Sequence, residues 1–290
     1  PPPQASRTVA PISVERLRAD MESLVGFGTR HTLSETESDT HGVGAARRYV
    51  HEQYENANEF TSGASPVSAT FERFDQEADG RRITRDVEIV NVLATIEGTM
   101  PEARDRTYYV LAHLDSRASD PADGESDAPG ANDSASGVVM MMELARLFAI
   151  NPPESTIVLM ATTGEEQGLY GARRHAAEAN ERGVDIRAVL NNDTVGDPYG
   201  PHDPDSAKGR FARDHIRVFA QGVPPQATSI QLQNISRLGA ENDSAPRTLG
   251  RHIAEVAAWE RTRIEPTLIY RNDRFLRGGD HTPFVMMGYP

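Results

Sequence analysis

Three short apolar runs in this chain each end on ionisable residues. Tyr108 to Ala112 leads into His113-Leu114-Asp115, Thr156 to Ala161 into Thr163-Gly164-Glu165-Glu166, and Ala188 to Leu190 into Asn191-Asn192-Asp193. Helical periodicity fills the gaps, over Ser134 to Ile150 and Ala172 to Arg182. Strands alternating with helices of this length predict an α/β fold, a mostly parallel mixed β-sheet with helices on both faces, because each crossover must bury its apolar stripe on the sheet. Ligands of such sheets collect at the carboxyl ends of the strands, so the three endings fall along one rim. The turn Pro129-Gly130-Ala131-Asn132-Asp133-Ser134, just ahead of a helix, adds Asp133 to it.

The flanking segments are simpler. N-terminal helices occupy about 13–58: Leu17, Met21, Leu24 and Val25 recur at helical spacing, then Val43, Ala46, Tyr49 and Val50. Ala69 to Phe74 and Val87 to Ile96 are β-formers around the Asp79-Gly80 turn, which predicts a hairpin-like pair. Gly196 to Gly209 reads as a long loop, His215 to Ala220 and Thr267 to Tyr270 as strands, and Pro246 to Arg263 as a helix. With no internal repeat, a single domain over all 290 residues is the simplest organisation.

Composition limits the chemistry. There is no cysteine, so any metal must sit on His, Asp and Glu. A net charge of −13 opposes nucleic-acid binding, which needs clustered Lys and Arg. No apolar run approaches the roughly 20 residues of a membrane span. Pro1-Pro2-Pro3-Gln4 resembles the start of a processed chain, and a secreted or periplasmic location is the expectation. Taken singly, Asp133 reads as a helix N-cap, Asp193 as a turn residue and Glu165-Glu166 as a solvated pair. Together with His113 they make a cluster of one imidazole and several carboxylates suited to a pair of divalent ions. His31, His41, His51, His175, His202, His215 and His252 have no motif around them and read as surface or structural. Met140-Met141-Met142 and Trp259 read as packing.

Five segments, in this order, resemble the zinc exopeptidases of peptidase family M28, a group that includes bacterial aminopeptidases, glutamate carboxypeptidases and glutaminyl cyclases. They are His113-Leu114-Asp115, Gly130-Ala131-Asn132-Asp133 with Ser136-Gly137, Gly164-Glu165-Glu166-Gln167-Gly168-Leu169-Tyr170-Gly171, Asn192-Asp193, and Gly279-Asp280-His281 with Pro283-Phe284 and Gly288-Tyr289-Pro290. The likeness spans roughly residues 90 to 290 and implies the phosphorylase/hydrolase-like fold of zinc exopeptidases. It implies two Zn2+ ions bridged by Asp133, with His113 and Asp193 on one and Glu166 on the other. Glu165 would be the general base, and Asp115 would orient His113 by accepting its second ring proton.

The resemblance implies a peptide substrate, and an aminopeptidase removing N-terminal residues is the leading reading. A carboxypeptidase or a single-zinc glutaminyl cyclase shares the same metal residues, and a non-catalytic domain that lost one zinc site is the remaining alternative. In the family, one further His ligand to the second ion follows the Gly-Tyr-Pro on which this chain ends, so a truncation after 290 is expected. Asp280 is a candidate for the pocket wall and for contact with a free amine, and His281 a candidate substitute ligand. Arg117, Arg237 and Arg277 are candidates for a terminal carboxylate.

Overall fold

The computed structural model describes residues 11–61, 63, 65–196, 214–271, 273, 274 and 276–290. His202 and most of the expected loop after Gly196 lie outside them. Contacts divide the chain into two compact units, Pro1–Val195 with Gly279–Met287, and Gly196–Gly278 with Gly288–Pro290. The α/β body expected from the sequence is the first.

That unit holds helices α1 (Val14–Gly26) and α2 (Gly42–Asn56), strands β1 (Val67–Gln76), β2 (Val87–Ile96) and β3 (Thr107–His113), helix α3 (Ser136–Ile150), strand β4 (Thr156–Thr162), helices α4 (Glu165–Gly168) and α5 (Tyr170–Glu181), and strand β5 (Ile186–Asn191). The five strands form one mixed sheet in the order β1-β2-β4-β3-β5. β3 pairs parallel with β4 and β5, and β2 pairs antiparallel with β1 and β4. The parallel half carries the ionisable endings, and the antiparallel half is the expected hairpin-like pair.

Alternation along the strands sorts side chains between the faces. Val92, Ala94, Ile96, Val110, Ala112, Leu159 and Ala161 join residues of α1, α2 and α3, including Leu24, Val50 and Met141, in one buried cluster. A fully buried Val, Leu, Ile or Met side chain contributes about 1.5–3 kcal/mol, so this layer holds the sheet against α2 and α3. On the opposite face Tyr109 of β3 packs against His175 of α5 and against Phe284, which lies in the last short helix (His281–Met286).

The second unit has strands β6 (His215–Phe219) and β7 (Glu265–Ile269), paired parallel, with helices at Ser229–Leu238 and Ala245–Trp259. The helix at Ser229–Leu238 went unpredicted although it is signposted: Thr228 and Gln231 form a capping box and Gly239 closes it in the left-handed conformation. None of the helices in the described residues is long and apolar enough to cross a membrane.

Candidate metal centre

Register brings the site together. His113 lies opposite Thr162, and Leu111 opposite Asn191, so the carboxyl ends of β3, β4 and β5 share one edge. His113 Nε2 is 2.9 Å from Asp133 Oδ1 and 3.9 Å from Asp193 Oδ1. One donor atom from each of these three side chains lies within 4.8 Å of the others. Among the described residues they are the one group of His, Asp and Glu side chains close enough to hold a metal ion. His113 is buried, whereas the Asp133 side chain is 54% exposed, so the group opens to one side. A nitrogen and two carboxylates with an open side fit the donor set of a catalytic zinc, which takes three protein ligands and leaves a position free.

Asp133 sits where it does because the chain ahead of α3 is not helical. Its φ and ψ are −109° and 94°, and those of Ser134 are −129° and 36°, so α3 starts at Ser136 and not at the expected Ser134. Gly130 opens this turn with φ +45°, and a Cβ there would come within 2.6 Å of both the Asp133 carbonyl oxygen and the Ser116 side chain.

The role of Asp115 differs from the expected one. His113 Nδ1 donates to the main-chain carbonyl of Asp115 at 2.9 Å, while the carboxylate is 3.9 Å away. That bond directs Nε2 at the two aspartates. The buried carboxylate instead accepts the backbone N–H groups of Gly164, Glu165 and Glu166, at 2.9, 3.2 and 3.1 Å. These are otherwise orphan donors at the start of α4, so Asp115 holds the turn that carries both glutamates.

Glu166 does not join the metal group. Its Oε2 is 2.7 Å from Arg117 Nε, and it is not one of the three donors that lie within 4.8 Å of one another. His281 is likewise outside the group. Asp280 is buried at the start of the last helix, where its Oδ2 accepts the Thr162 hydroxyl and its Oδ1 has no hydrogen-bond partner.

Burial raises the Glu165 and Asp280 carboxyls above the ordinary carboxylate range; His113 pulls each back, but the neighbouring carboxylates Asp115 and Asp193 push further up. For His113, burial favours the neutral ring, but Asp133 and Asp193 outweigh it and lift its pKa well above 6.5. All three shifts act in one direction on the metal-free protein. Carboxyls with raised folded pKa lose stability as pH climbs past their ordinary values of 4.5 and 3.8. The His113 contribution is complete below 6.5 and is lost as pH rises through its higher folded value. The chelated protein is therefore expected to melt several degrees lower at about pH 8 than at about pH 5.5, a difference that zinc should shrink. A melting temperature that rises over this range would contradict the site electrostatics.

Arg30 was not singled out from the sequence, because nothing in its spacing separates it from a solvated surface arginine. It is 1% exposed. Its Nε donates to Leu114 O at 2.9 Å, Nη1 to Leu24 O and Pro129 O at 3.0 and 2.7 Å, and Nη2 to Gly130 O at 2.9 Å. Burial lowers its pKa to about 10, with Asp115 and Asp133 opposing. One guanidinium thus ties the end of α1 to the chain after His113 and to the turn before Asp133.

A buried imidazole and two aspartates at the carboxyl edge of a mixed α/β sheet, with a half-buried glutamate nearby, define a metal-dependent enzyme of the zinc-exopeptidase type. Residues 91–290 match the model of peptidase family M28, and the chain belongs to that family. A probable zinc metalloprotease of Leptosphaeria maculans is 42% identical over 290 residues, covering 100% of this chain and 65% of that protein. One of Pyricularia oryzae is 44% identical over 275 residues, covering 94% and 53%. The chain thus spans between about half and two thirds of these relatives. Among solved structures, the glutaminyl cyclase of Fimbriiglobus ruber superposes with a TM-score of 0.63 at 17% identity, covering 100% of this chain and 86% of that one. A leucine aminopeptidase precursor from Bacteroides thetaiotaomicron gives 0.62 at 16%, covering 98% and 88%. These likenesses support the fold.

Proposed function

We propose that this chain is the catalytic part of a zinc-dependent exopeptidase that works with one ion held by His113, Asp133 and Asp193. The observation that carries the reading is the single group of three donors within 4.8 Å among the described residues, with the half-buried Glu165 close enough to feel the charges of His113 and Asp193. A bound zinc ion would supply Lewis acidity, polarising the scissile carbonyl and easing deprotonation of water. Glu165 takes the proton of the water that attacks the carbonyl carbon and returns it to the leaving amine nitrogen. Asp115 keeps Glu165 in place through its hold on the main chain of Gly164 to Glu166. Glu166, paired with Arg117, helps to set the charge at the rim.

Removal of N-terminal residues from peptides is the first reaction we assign. Glutaminyl-cyclase chemistry is the second, favoured by the one-ion donor group. There Glu165 would move a proton from the substrate's α-amine to the departing ammonia as the ring closes. Leucyl-amide and an N-terminal glutamine peptide, each followed by mass spectrometry before and after chelation, separate the two. Chelator-sensitive release of leucine supports the peptidase, and loss of ammonia from the glutamine peptide supports the cyclase. Failure on both would remove the proposal.

A further inference from the structure

We propose that a cleft of about 480 Å³ between α2 and the neighbouring ends of β1 and β2 binds a small oxyanion, a phosphate or carboxylate group, at a site separate from the metal centre. Four arginines line it, Arg47 and Arg48 from α2, Arg73 from β1 and Arg85 from the turn before β2. Set against the three acidic side chains of the lining, Glu37, Asp86 and Glu88, they leave a small positive excess in a chain of net charge −13.

The acidic side chains of the cleft are already engaged. Glu88 Oε2 pairs with Arg73 Nη1 at 2.8 Å, Asp86 Oδ1 accepts the Ala78 N–H at 2.9 Å, and Glu37 Oε1 accepts the Thr36 hydroxyl at 3.2 Å. Arg47 and Arg85 have no carboxylate partner among the described residues; each donates to a main-chain carbonyl, that of Glu88 at 3.3 Å and that of Leu33. Arg47 is the telling one. It is 5% exposed, and its Nε is buried without a hydrogen-bond partner. A guanidinium offers five N–H donors in a planar fork, and a buried one left mostly unanswered is costly. An oxyanion answers several donors at once, with charge-assisted and bidentate hydrogen bonds. Burial and the neighbouring Arg73 and Arg48 also lower the Arg47 pKa, to about 10, which an anion in the cleft would reverse.

The wall is stiff. Phe71 stacks on His51 with ring centroids 4.4 Å apart and carries the Arg73 guanidinium 4.9 Å from its ring centre. The start of β2 lies on the same rim as the carboxyl end of β4, because the two strands are antiparallel. β4 stands between β2 and β3, so β2 itself is roughly 10 Å from the strand of His113 at a strand spacing of about 4.8 Å, and the β1 side of the cleft lies one strand further off.

The test is calorimetric titration of the chelated full chain with inorganic phosphate, and separately with a short N-acetylated peptide bearing a free or an amidated C-terminus. Saturable binding is expected, at least about 10-fold weaker in Arg85→Gln and in Arg47→Met, and unchanged in Asp133→Asn. Arg85 is exposed, so its variant carries the test whether or not Arg47→Met folds. Binding of phosphate assigns the site to a phosphoryl ligand, and binding of the free-acid peptide but not its amide assigns it to a terminal carboxylate. No saturable binding of either anion, equal binding by Arg85→Gln, or loss of binding in Asp133→Asn would overturn the proposal.

Discussion

Glu165→Gln is expected to keep its zinc and to lose activity by about 10²–10⁴-fold, the range general acid–base catalysis contributes. The amide fills the same space and can accept the same surroundings, but it cannot take a proton. Zinc retention follows because Glu165 is outside the donor group of His113, Asp133 and Asp193. The fold of the turn should survive as well, since Asp115 grips the main chain of residue 165 and not its side chain. Replacing a raised carboxyl by a neutral amide should also flatten part of the pH dependence of stability in the chelated protein. Turnover within a few-fold of wild type, at normal zinc content, would take Glu165 out of the role of base.

Arg30→Met is expected to have the largest effect on stability. The substitution keeps an apolar stem but leaves the carbonyls of Leu24, Leu114, Pro129 and Gly130 without their donor. Unsatisfied buried acceptors cost about 1–3 kcal/mol each, and removing one partner of a buried charged network about 3–5 kcal/mol. A total near the upper figure is a large part of the 5–15 kcal/mol that holds a domain together. Because the same guanidinium positions the turn ahead of Asp133, whatever protein folds should bind zinc about 10–100-fold more weakly, as do losses of groups that orient metal ligands. Arg30→Lys should recover only part of both, since an ammonium cannot span the four carbonyls. Denaturant unfolding and competition against a zinc chelator measure the two effects. A stable Arg30→Met protein with unchanged zinc affinity would show that this network does not shape the site.

Arg30 precedes residues 91–290, the part that matches the family model. The N-terminal segment is therefore built into the metal centre and not merely attached to it.

What could be read from the sequence and what could not divide along physical lines. The strands that carry the site were legible because short continuous apolar runs, separated by stretches of helical period, leave few alternatives. His113, Asp133 and Asp193 were legible as a group because parallel strands place their endings on one edge. Contacts made by a long or short polar side chain after folding were not. Asp115 stands two residues from His113 and could have met its ring, yet three backbone N–H groups of α4 attract its carboxylate more strongly than one imidazole proton. Glu166 points to Arg117, whose proximity depends on the course of the chain after β3. The short α4 and the last helix, of four and six residues, are too brief for periodicity to register, and Leu169 breaks α4 from α5 in a left-handed conformation at φ 64°. His175 was read as surface or structural, and it is a buried residue between Glu72 and Tyr109 at 2.8 and 2.9 Å.

The central claim is that one zinc ion is held by His113, Asp133 and Asp193. Elemental analysis of the purified chain after equilibration with zinc and removal of the excess tests it most directly. About one zinc per chain is expected in the wild type and in Glu166→Gln, and close to none in Asp133→Ala and Asp193→Ala. Zinc content unaffected by the aspartate substitutions, or two ions per chain with one lost in Glu166→Gln, would contradict the account.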